Sequence, residues 1–214
     1  MRKSKIYPNV LDTKVINAIK LFCDKRDVAH NEVVDNRLWS VNKTLDIQDE
    51  NSFLAKLLLP KIKKILGLDI EFDMGCHKVS TTPYGTHVDS ANNARYEHVT
   101  KFHSNEESTH HLAVLIPLSE SPGIRTITFN IFDSSYSGMC DKLPAEWLTS
   151  SHSLDPKDFS HIVDSEDITR LPVDIDYTWK IGDIFTWPRE QLHSSANFLE
   201  YGLPSKEFLI IFSK

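Results

Sequence analysis

A chain of 214 residues with 40% hydrophobic and 25% charged residues has ordinary globular usage, which argues against disorder and against a fibrous architecture. A net charge of −6 makes tight nonspecific binding to nucleic acid unfavourable. Because there is no apolar run of about 18 residues and no secretory signal, we expect one cytoplasmic domain over residues 1–214 with no membrane partner.

The first third of the chain, residues 1–69, is predicted to give helical support to the β core of the same domain. Apolar residues recur at helical spacing over residues 12–25, where Asp12 can cap the helix. A second helix is predicted over residues 51–66, with Gly67 as its C-terminal cap. Pro60 lies inside it and leaves two alternatives open, a kinked helix or a second short helix that begins at Pro60.

The remaining residues, 70–214, show the two-residue periodicity of strands. Strands are predicted in HHLAVLIPLS, in TITFNIFD, after the Gly182-Asp183 turn of WKIGDIFTWP, and in KEFLIIFSK. Polar insertions interrupt the pattern near residues 90–110 and 134–177. The order predicts a mainly β fold, a double-stranded β-helix of the jelly-roll or cupin-like type, with the N-terminal helices packed on one sheet.

The segment PYGTHVDS carries the strongest chemical signal in the chain. His87 and Asp89 are two residues apart, so on an extended segment their side chains leave the same face. His193, in FTWPREQLHSSANF, is the candidate third ligand. Two imidazoles and one carboxylate would form a facial set that leaves coordination positions open, as in non-haem Fe(II) oxygenases.

Other histidines compete with His193 for the third position. His103 is one, and His110 and His111 are adjacent residues of which only one could face inward from a strand. The three cysteines are widely spaced, so we expect them to be reduced thiols: Cys23, Cys76 and Cys140.

These segments resemble the Fe(II)- and 2-oxoglutarate-dependent dioxygenase superfamily, and within it the prolyl-4-hydroxylase-like group. PYGTHVDS resembles the segment in which a tyrosine and a glycine precede the iron-binding His-x-Asp, and KIGDIFTWPREQLHSS resembles the strand that leads to the distal histidine. Lys206 then opens the last strand, where the family places the basic partner of 2-oxoglutarate. The resemblance implies Fe(II) held by His87, Asp89 and His193, with 2-oxoglutarate bound through Lys206.

Alternatives remain for the residues that contact the cosubstrate. In alternating register Lys206 shares a face with Phe208, Ile210 and Phe212, so its ammonium either meets an anion there or reaches water from the strand end. Arg189, with a planar fork suited to carboxylates, is the alternative partner. Tyr84 either contacts the cosubstrate or packs.

The function implied is an Fe(II)- and 2-oxoglutarate-dependent hydroxylase that uses molecular oxygen and releases succinate and CO2. Its substrate is a small molecule or peptide, with a peptidyl or free amino-acid side chain as one candidate. Asn92, Asn93 and Arg95 either touch this substrate or are solvated, while Phe185 and Trp187 are expected in the core. Two alternatives remain, a cupin-type metalloenzyme without 2-oxoglutarate and a metal-free jelly-roll binding module.

Overall fold

The computed structural model describes residues 3–34, 36–67, 70–89, 111–133, 143–149, 154–163 and 165–213. Three α-helices are described, α1 (Thr13–Asp24), α2 (Phe53–Leu66) and the short α3 (Ser165–Ile168). The described strands are β1 (Lys5–Tyr7), β2 (His30–Val34), β3 (Arg37–Leu45), β4 (Phe72–Ser80), β5 (Leu112–Pro117), β6 (Arg125–Phe132), β7 (Val173–Thr178), β8 (Ile184–Pro188), β9 (Gln191–Ser195) and β10 (Lys206–Ser213). Among these residues no helix is long and apolar enough to cross a membrane.

Both predicted helices are present. The side chain of Asp12 accepts a hydrogen bond from the Val15 amide and caps α1. Helix α2 ends at Gly67, whose φ of 64° places it in the left-handed region that favours glycine. α2 continues through Pro60, so no second helix begins there; Pro60 is exposed, where water can bind the carbonyl that proline leaves without a donor.

The strands form two antiparallel sheets. The large sheet has seven strands in the order β1-β8-β5-β10-β4-β3-β2, and the small sheet has three in the order β7-β6-β9. Aromatic residues of both sheets share one buried cluster, which forms the interior between them. The predicted fold class, mainly β with a jelly-roll core, is confirmed.

The helices cover the outer face of the large sheet. Leu54, Leu58 and Ile62 of α2 pack in one core with alternate residues of the central strands, such as Leu209 and Ile211. The outer face of the small sheet is packed instead by apolar side chains from the described parts of 143–149, 154–163 and 165–171. The prediction that the N-terminal helices pack on one sheet is therefore confirmed.

Two segment assignments need correction. Residues 1–69 were predicted as helical support, yet they also supply β1, β2 and β3 to the large sheet. The buried inward positions Ser40 and Asn42 of β3 are polar, so the apolar alternation that marks a strand is missing there. The insertion predicted over 134–177 contains most of β7, and the insertion near 90–110 lies outside the described residues.

A buried ion pair joins the segment that covers the small sheet to the sheet itself. Asp158, at 3% exposure, pairs with Arg125 of β6 and accepts a 2.7 Å hydrogen bond from the Tyr201 hydroxyl. We expect Asp158→Ala to lower the free energy of unfolding by about 3 kcal/mol, because a largely buried guanidinium then loses a partner. Chemical denaturation checks this, with Asp167→Ala, whose side chain is 42% exposed, as control; a loss under about 0.5 kcal/mol for Asp158→Ala would contradict the expectation.

A second polar pair lies on the outer face of the large sheet, where His77 Nε2 is 2.8 Å from Glu207 Oε1. The hydrogen bond with His77 holds the pKa of Glu207 below its usual value of 4.5. A lowered folded-state pKa stabilises the protein above the unfolded-state pKa, and this contribution is lost as the pH falls through the folded-state value.

We therefore expect Glu207→Gln to cost about 1 kcal/mol of unfolding free energy at pH 7 and less as the pH falls below about 4. Urea denaturation from pH 7 to pH 3 measures the difference between variant and wild type. The exposed Glu50→Gln serves as the control. A pH-independent difference would show that the hydrogen bond does not act through the Glu207 carboxylate.

Candidate metal centre

The site forms where residues 84–89 run antiparallel to β9. His87 and His193 exchange two backbone hydrogen bonds of 2.9 Å, and the Asp89 amide donates to the Arg189 carbonyl at 2.7 Å. This pairing makes His87 directly opposite His193, and the two-residue alternation places Asp89 on the same face. Val88, between them, points instead into the core outside the small sheet.

The three side chains converge. Ligand atoms of His87, Asp89 and His193 all lie within 4.8 Å of one another, and within the described part of the chain this is the one such group of three. The His87 Nε2 atom is 3.8 Å from Asp89 Oδ1, and the His193 Nε2 atom is 3.5 Å from Asp89 Oδ2. One ion could contact all three residues from a single position.

Both imidazoles are oriented for a metal. The Nδ1 atom of His87 lies 2.7 Å from the Gly85 carbonyl, and that of His193 lies 3.0 Å from the Gln191 carbonyl. A protonated Nδ1 that donates to a carbonyl leaves Nε2 with a free lone pair, here on the side of Asp89. Burial and the nearby imidazole of His193 lower the pKa of His87 to about 4, which keeps it neutral at pH 7. The donor set fits Fe(II).

The carboxylate of Asp89 is held by an indole. Trp187 Nε1 donates to Asp89 Oδ2 at 3.0 Å, and its ring lies 4.9 Å from that of His193. Trp187 is buried in the core, as predicted from the sequence, and it also orients Asp89. A buried indole N–H that needs a partner is the signal that could have indicated this role.

The Arg189 guanidinium donates hydrogen bonds to backbone carbonyls instead of facing an open site for an anion. Its Nε and Nη2 atoms donate to the Asp89 carbonyl at 3.2 and 3.1 Å, and Nη1 donates to the Ser213 carbonyl at 3.3 Å. These contacts tie the segment carrying Asp89 to the end of β10.

Lys206 is buried at 4% exposure, which excludes the alternative that it simply reaches water. Its Nζ donates to Ser195 Oγ at 2.6 Å and lies 4.8 Å from the centre of the Trp179 ring. Burial, with a smaller effect of Lys78, lowers the pKa of Lys206 to about 7. Among the described residues no carboxylate pairs with Lys206, so its ammonium would be stabilised by an anionic ligand.

Tyr84 belongs to a group that we call the interior polar cluster: Glu32, Ser40, Lys78 and Tyr84. The Tyr84 hydroxyl donates to Glu32 Oε2 at 2.5 Å, lies 3.1 Å from Ser40 Oγ, and accepts from Lys78 Nζ at 3.2 Å. Burial and the Glu32 carboxylate raise the pKa of Tyr84. The other three residues come from strands β2, β3 and β4 and were not predicted as site residues from the sequence.

His111, the one competing histidine in the described part of the chain, does not belong to the triad. His111 is described, and its carbonyl accepts from the Arg189 amide. The remaining candidates lie outside the described residues: His103, His110, Asn92, Asn93, Arg95 and Cys140.

No protein-family model matches this sequence, and no curated protein matches it detectably. Solved structures do match its fold. The non-haem alpha-ketoglutarate-dependent carbocyclase SnoK from nogalamycin biosynthesis is 16% identical, with a TM-score of 0.59 over 100% of this chain and 80% of that chain. A prolyl-4-hydroxylase from Pseudomonas putida is 11% identical, with a TM-score of 0.50 over 100% and 93%.

A third similar structure is HygX from Streptomyces hygroscopicus with nickel, 2-oxoglutarate and hygromycin B bound. It is 10% identical, with a TM-score of 0.56, and the match covers 99% of this chain and 82% of that chain. At these identities the likeness establishes the fold, a double-stranded β-helix as found in 2-oxoglutarate oxygenases, and the function is argued from the site.

Proposed function

We propose that this chain is an Fe(II)- and 2-oxoglutarate-dependent oxygenase that hydroxylates a small molecule or a peptidyl side chain. One observation carries the proposal: the ligand atoms of His87, Asp89 and His193 converge within 4.8 Å. A buried ammonium without a described carboxylate partner, that of Lys206, supports a dicarboxylate cosubstrate.

In this proposal His87, Asp89 and His193 hold Fe(II), and Lys206 binds the far carboxylate of 2-oxoglutarate with the help of the Ser195 hydroxyl. Bound iron and cosubstrate supply the oxidative chemistry, in which 2-oxoglutarate and oxygen yield succinate, CO2 and a hydroxylated product. Lys206 is the proposed carboxylate partner rather than Arg189, because the Arg189 guanidinium already donates to the carbonyls of Asp89 and Ser213.

The protein's own residues keep this site ordered and dry. Trp187 fixes the rotamer of Asp89 through its 3.0 Å hydrogen bond, and two backbone carbonyls fix the rings of His87 and His193. Phe208 and Trp179 surround the stem and ammonium of Lys206 and exclude water from it. Exclusion of water strengthens the attraction between this ammonium and a carboxylate.

Turnover of 2-oxoglutarate without substrate tests the proposal. Protein loaded with Fe(II) and supplied with ascorbate, 2-oxoglutarate and air is expected to form succinate slowly, and to stop under argon or after chelation. Asp89→Ala is the matched inactive variant. Iron-loaded wild type that forms no more succinate than Asp89→Ala, with every candidate substrate offered, would contradict the proposal.

The same assay separates the alternatives from the sequence analysis. A cupin-type metalloenzyme would show metal-dependent activity without any need for 2-oxoglutarate. A metal-free binding module would retain no stoichiometric iron. No contact in the described chain favours either alternative over the oxygenase.

A further inference from the structure

Lys78 lies on the same interior face of the large sheet as Lys206. In the register of β4 and β10, Lys206 is opposite Ser80 and Phe208 is opposite Lys78. Residues two apart on a strand share a face, so the two lysines start from diagonally neighbouring positions, a separation that long side chains can span.

Contacts of Lys78 lead from there to the metal centre. Its Nζ donates to the Tyr84 hydroxyl at 3.2 Å and lies 4.8 Å from the centre of the Tyr84 ring. The Tyr84 ring in turn lies 6.0 Å from the His87 ring. Lys78 therefore contacts a side chain, Tyr84, that itself lies beside the imidazole of His87.

The electrostatic field of Lys78 also reaches Lys206. It adds to the burial that lowers the pKa of Lys206. Its described counter-charge is Glu32, with Oε2 at 3.8 Å from Nζ. At 18% side-chain exposure Lys78 is shielded enough for its charge to act on a neighbouring anion.

We propose that Lys78 is a second cationic contact for the cosubstrate, binding the carboxylate end that chelates the metal while Lys206 binds the far carboxylate. This inference rests on the proposed function. Tyr84 acts as a positioning residue, because its hydroxyl accepts from the Lys78 ammonium and is itself held by a hydrogen bond to Glu32. The charges also balance: Lys78 and Lys206 offset Glu32 and Asp89, and Fe(II) offsets the cosubstrate dianion.

The two lysines should then discriminate differently between 2-oxo acids. Lys206 contacts only the far carboxylate, so it distinguishes 2-oxoglutarate from 2-oxovalerate, which ends in a methyl group instead. Lys78 contacts the end that both acids share. Removal of Lys78 should therefore weaken the binding of both acids, whereas removal of Lys206 should weaken the binding of 2-oxoglutarate alone.

The experiment is an anaerobic titration of Fe(II)-loaded protein with each acid, followed through the visible absorption of the iron chelate. We expect Lys78→Met to raise the dissociation constant of both acids by about 10-fold, and Lys206→Met to raise that of 2-oxoglutarate alone by roughly 100-fold. The matched control is Lys43→Met, because Lys43 lies on the opposite face and donates to the Cys23 carbonyl. It should bind both acids as wild type does.

Glu32→Gln provides an independent variant that leaves Lys78 in place. It removes a negative charge beside the proposed carboxylate site, so both acids should bind about 3-fold more tightly. A Lys78→Met variant that binds both acids normally, or loses only 2-oxoglutarate, overturns the inference, as does weaker binding to Glu32→Gln. Absence of any chelate absorption in wild type would instead overturn the proposed function.

Discussion

In the His193→Ala variant, Fe(II) binding is expected to weaken by at least about 100-fold, and succinate formation to fall to the background of metal-free protein. His193 supplies one of the two Nε2 atoms that face Asp89, at 3.5 Å from Oδ2. With two of three ligands left, neither charge nor geometry holds the ion tightly. Equilibrium dialysis with Fe(II) under argon measures the affinity directly.

His30→Ala is the control for general loss of a histidine, because His30 is exposed on β2. It should bind one Fe(II) per chain as wild type does. Thermal unfolding of the metal-free proteins shows whether His193→Ala is folded. A folded variant that keeps wild-type affinity for Fe(II) would remove His193 from the proposed ligand set.

The second large effect is expected at Lys206, where substitution should weaken the binding of 2-oxoglutarate but raise the stability of the cosubstrate-free protein. Lys206→Met keeps the stem that packs near Trp179 and Phe208 but removes the ammonium. We expect the dissociation constant of 2-oxoglutarate to rise roughly 100-fold, equivalent to about 3 kcal/mol, because a charge-assisted hydrogen bond in a buried site is lost.

The unfolding free energy of the cosubstrate-free variant should rise by about 1 kcal/mol, since wild type buries this ammonium without a described carboxylate. The lowered pKa of Lys206, about 7, reflects the same cost of burial. Calorimetric titration with 2-oxoglutarate and urea denaturation measure the two effects. Lys180→Met, at an exposed position, should change neither.

These two measurements separate a binding role from a structural role. A residue that only supported the fold would lose stability and affinity together when replaced. An unchanged affinity for 2-oxoglutarate in the Lys206→Met variant would show that another group binds the far carboxylate.

The strands that carry strong apolar alternation could be predicted from the sequence, and so could the candidate metal ligands, from their own spacing. His87 and Asp89 form a local pattern, two residues apart, that needs no knowledge of distant contacts. The buried run of β10 similarly indicates a central strand with Lys206 at its start. The spacing of His87 and Asp89 and the apolar run of β10 can each be recognised from residues that are close together in the sequence.

The missed features depend on pairings between distant parts of the chain. Glu32 reaches the Tyr84 hydroxyl only because β2 is joined to the large sheet through β3 and β4. β3 turns the polar residues Ser40 and Asn42 inward, so its pattern resembles a loop. A polar interior face serves a polar ligand, and it also hides the strand from a search for hydrophobic alternation.

Arg189 illustrates how a side chain's partner decides its role. Its guanidinium has the shape that suits a carboxylate, and the sequence placed it four residues before His193. In the fold it donates to two backbone carbonyls, those of Asp89 and Ser213. Which carbonyls lie within reach of a side chain follows from the strand pairing, and residue type alone does not reveal it.

The central claim is that His87, Asp89 and His193 bind one Fe(II) to which 2-oxoglutarate then binds. Anaerobic addition of 2-oxoglutarate to iron-loaded protein, followed by visible absorption, tests it most directly. We predict a weak charge-transfer band that saturates at one equivalent of iron per chain and is lost in His87→Ala. Iron-loaded wild type without a band, or a band of full strength in His87→Ala, would contradict the claim.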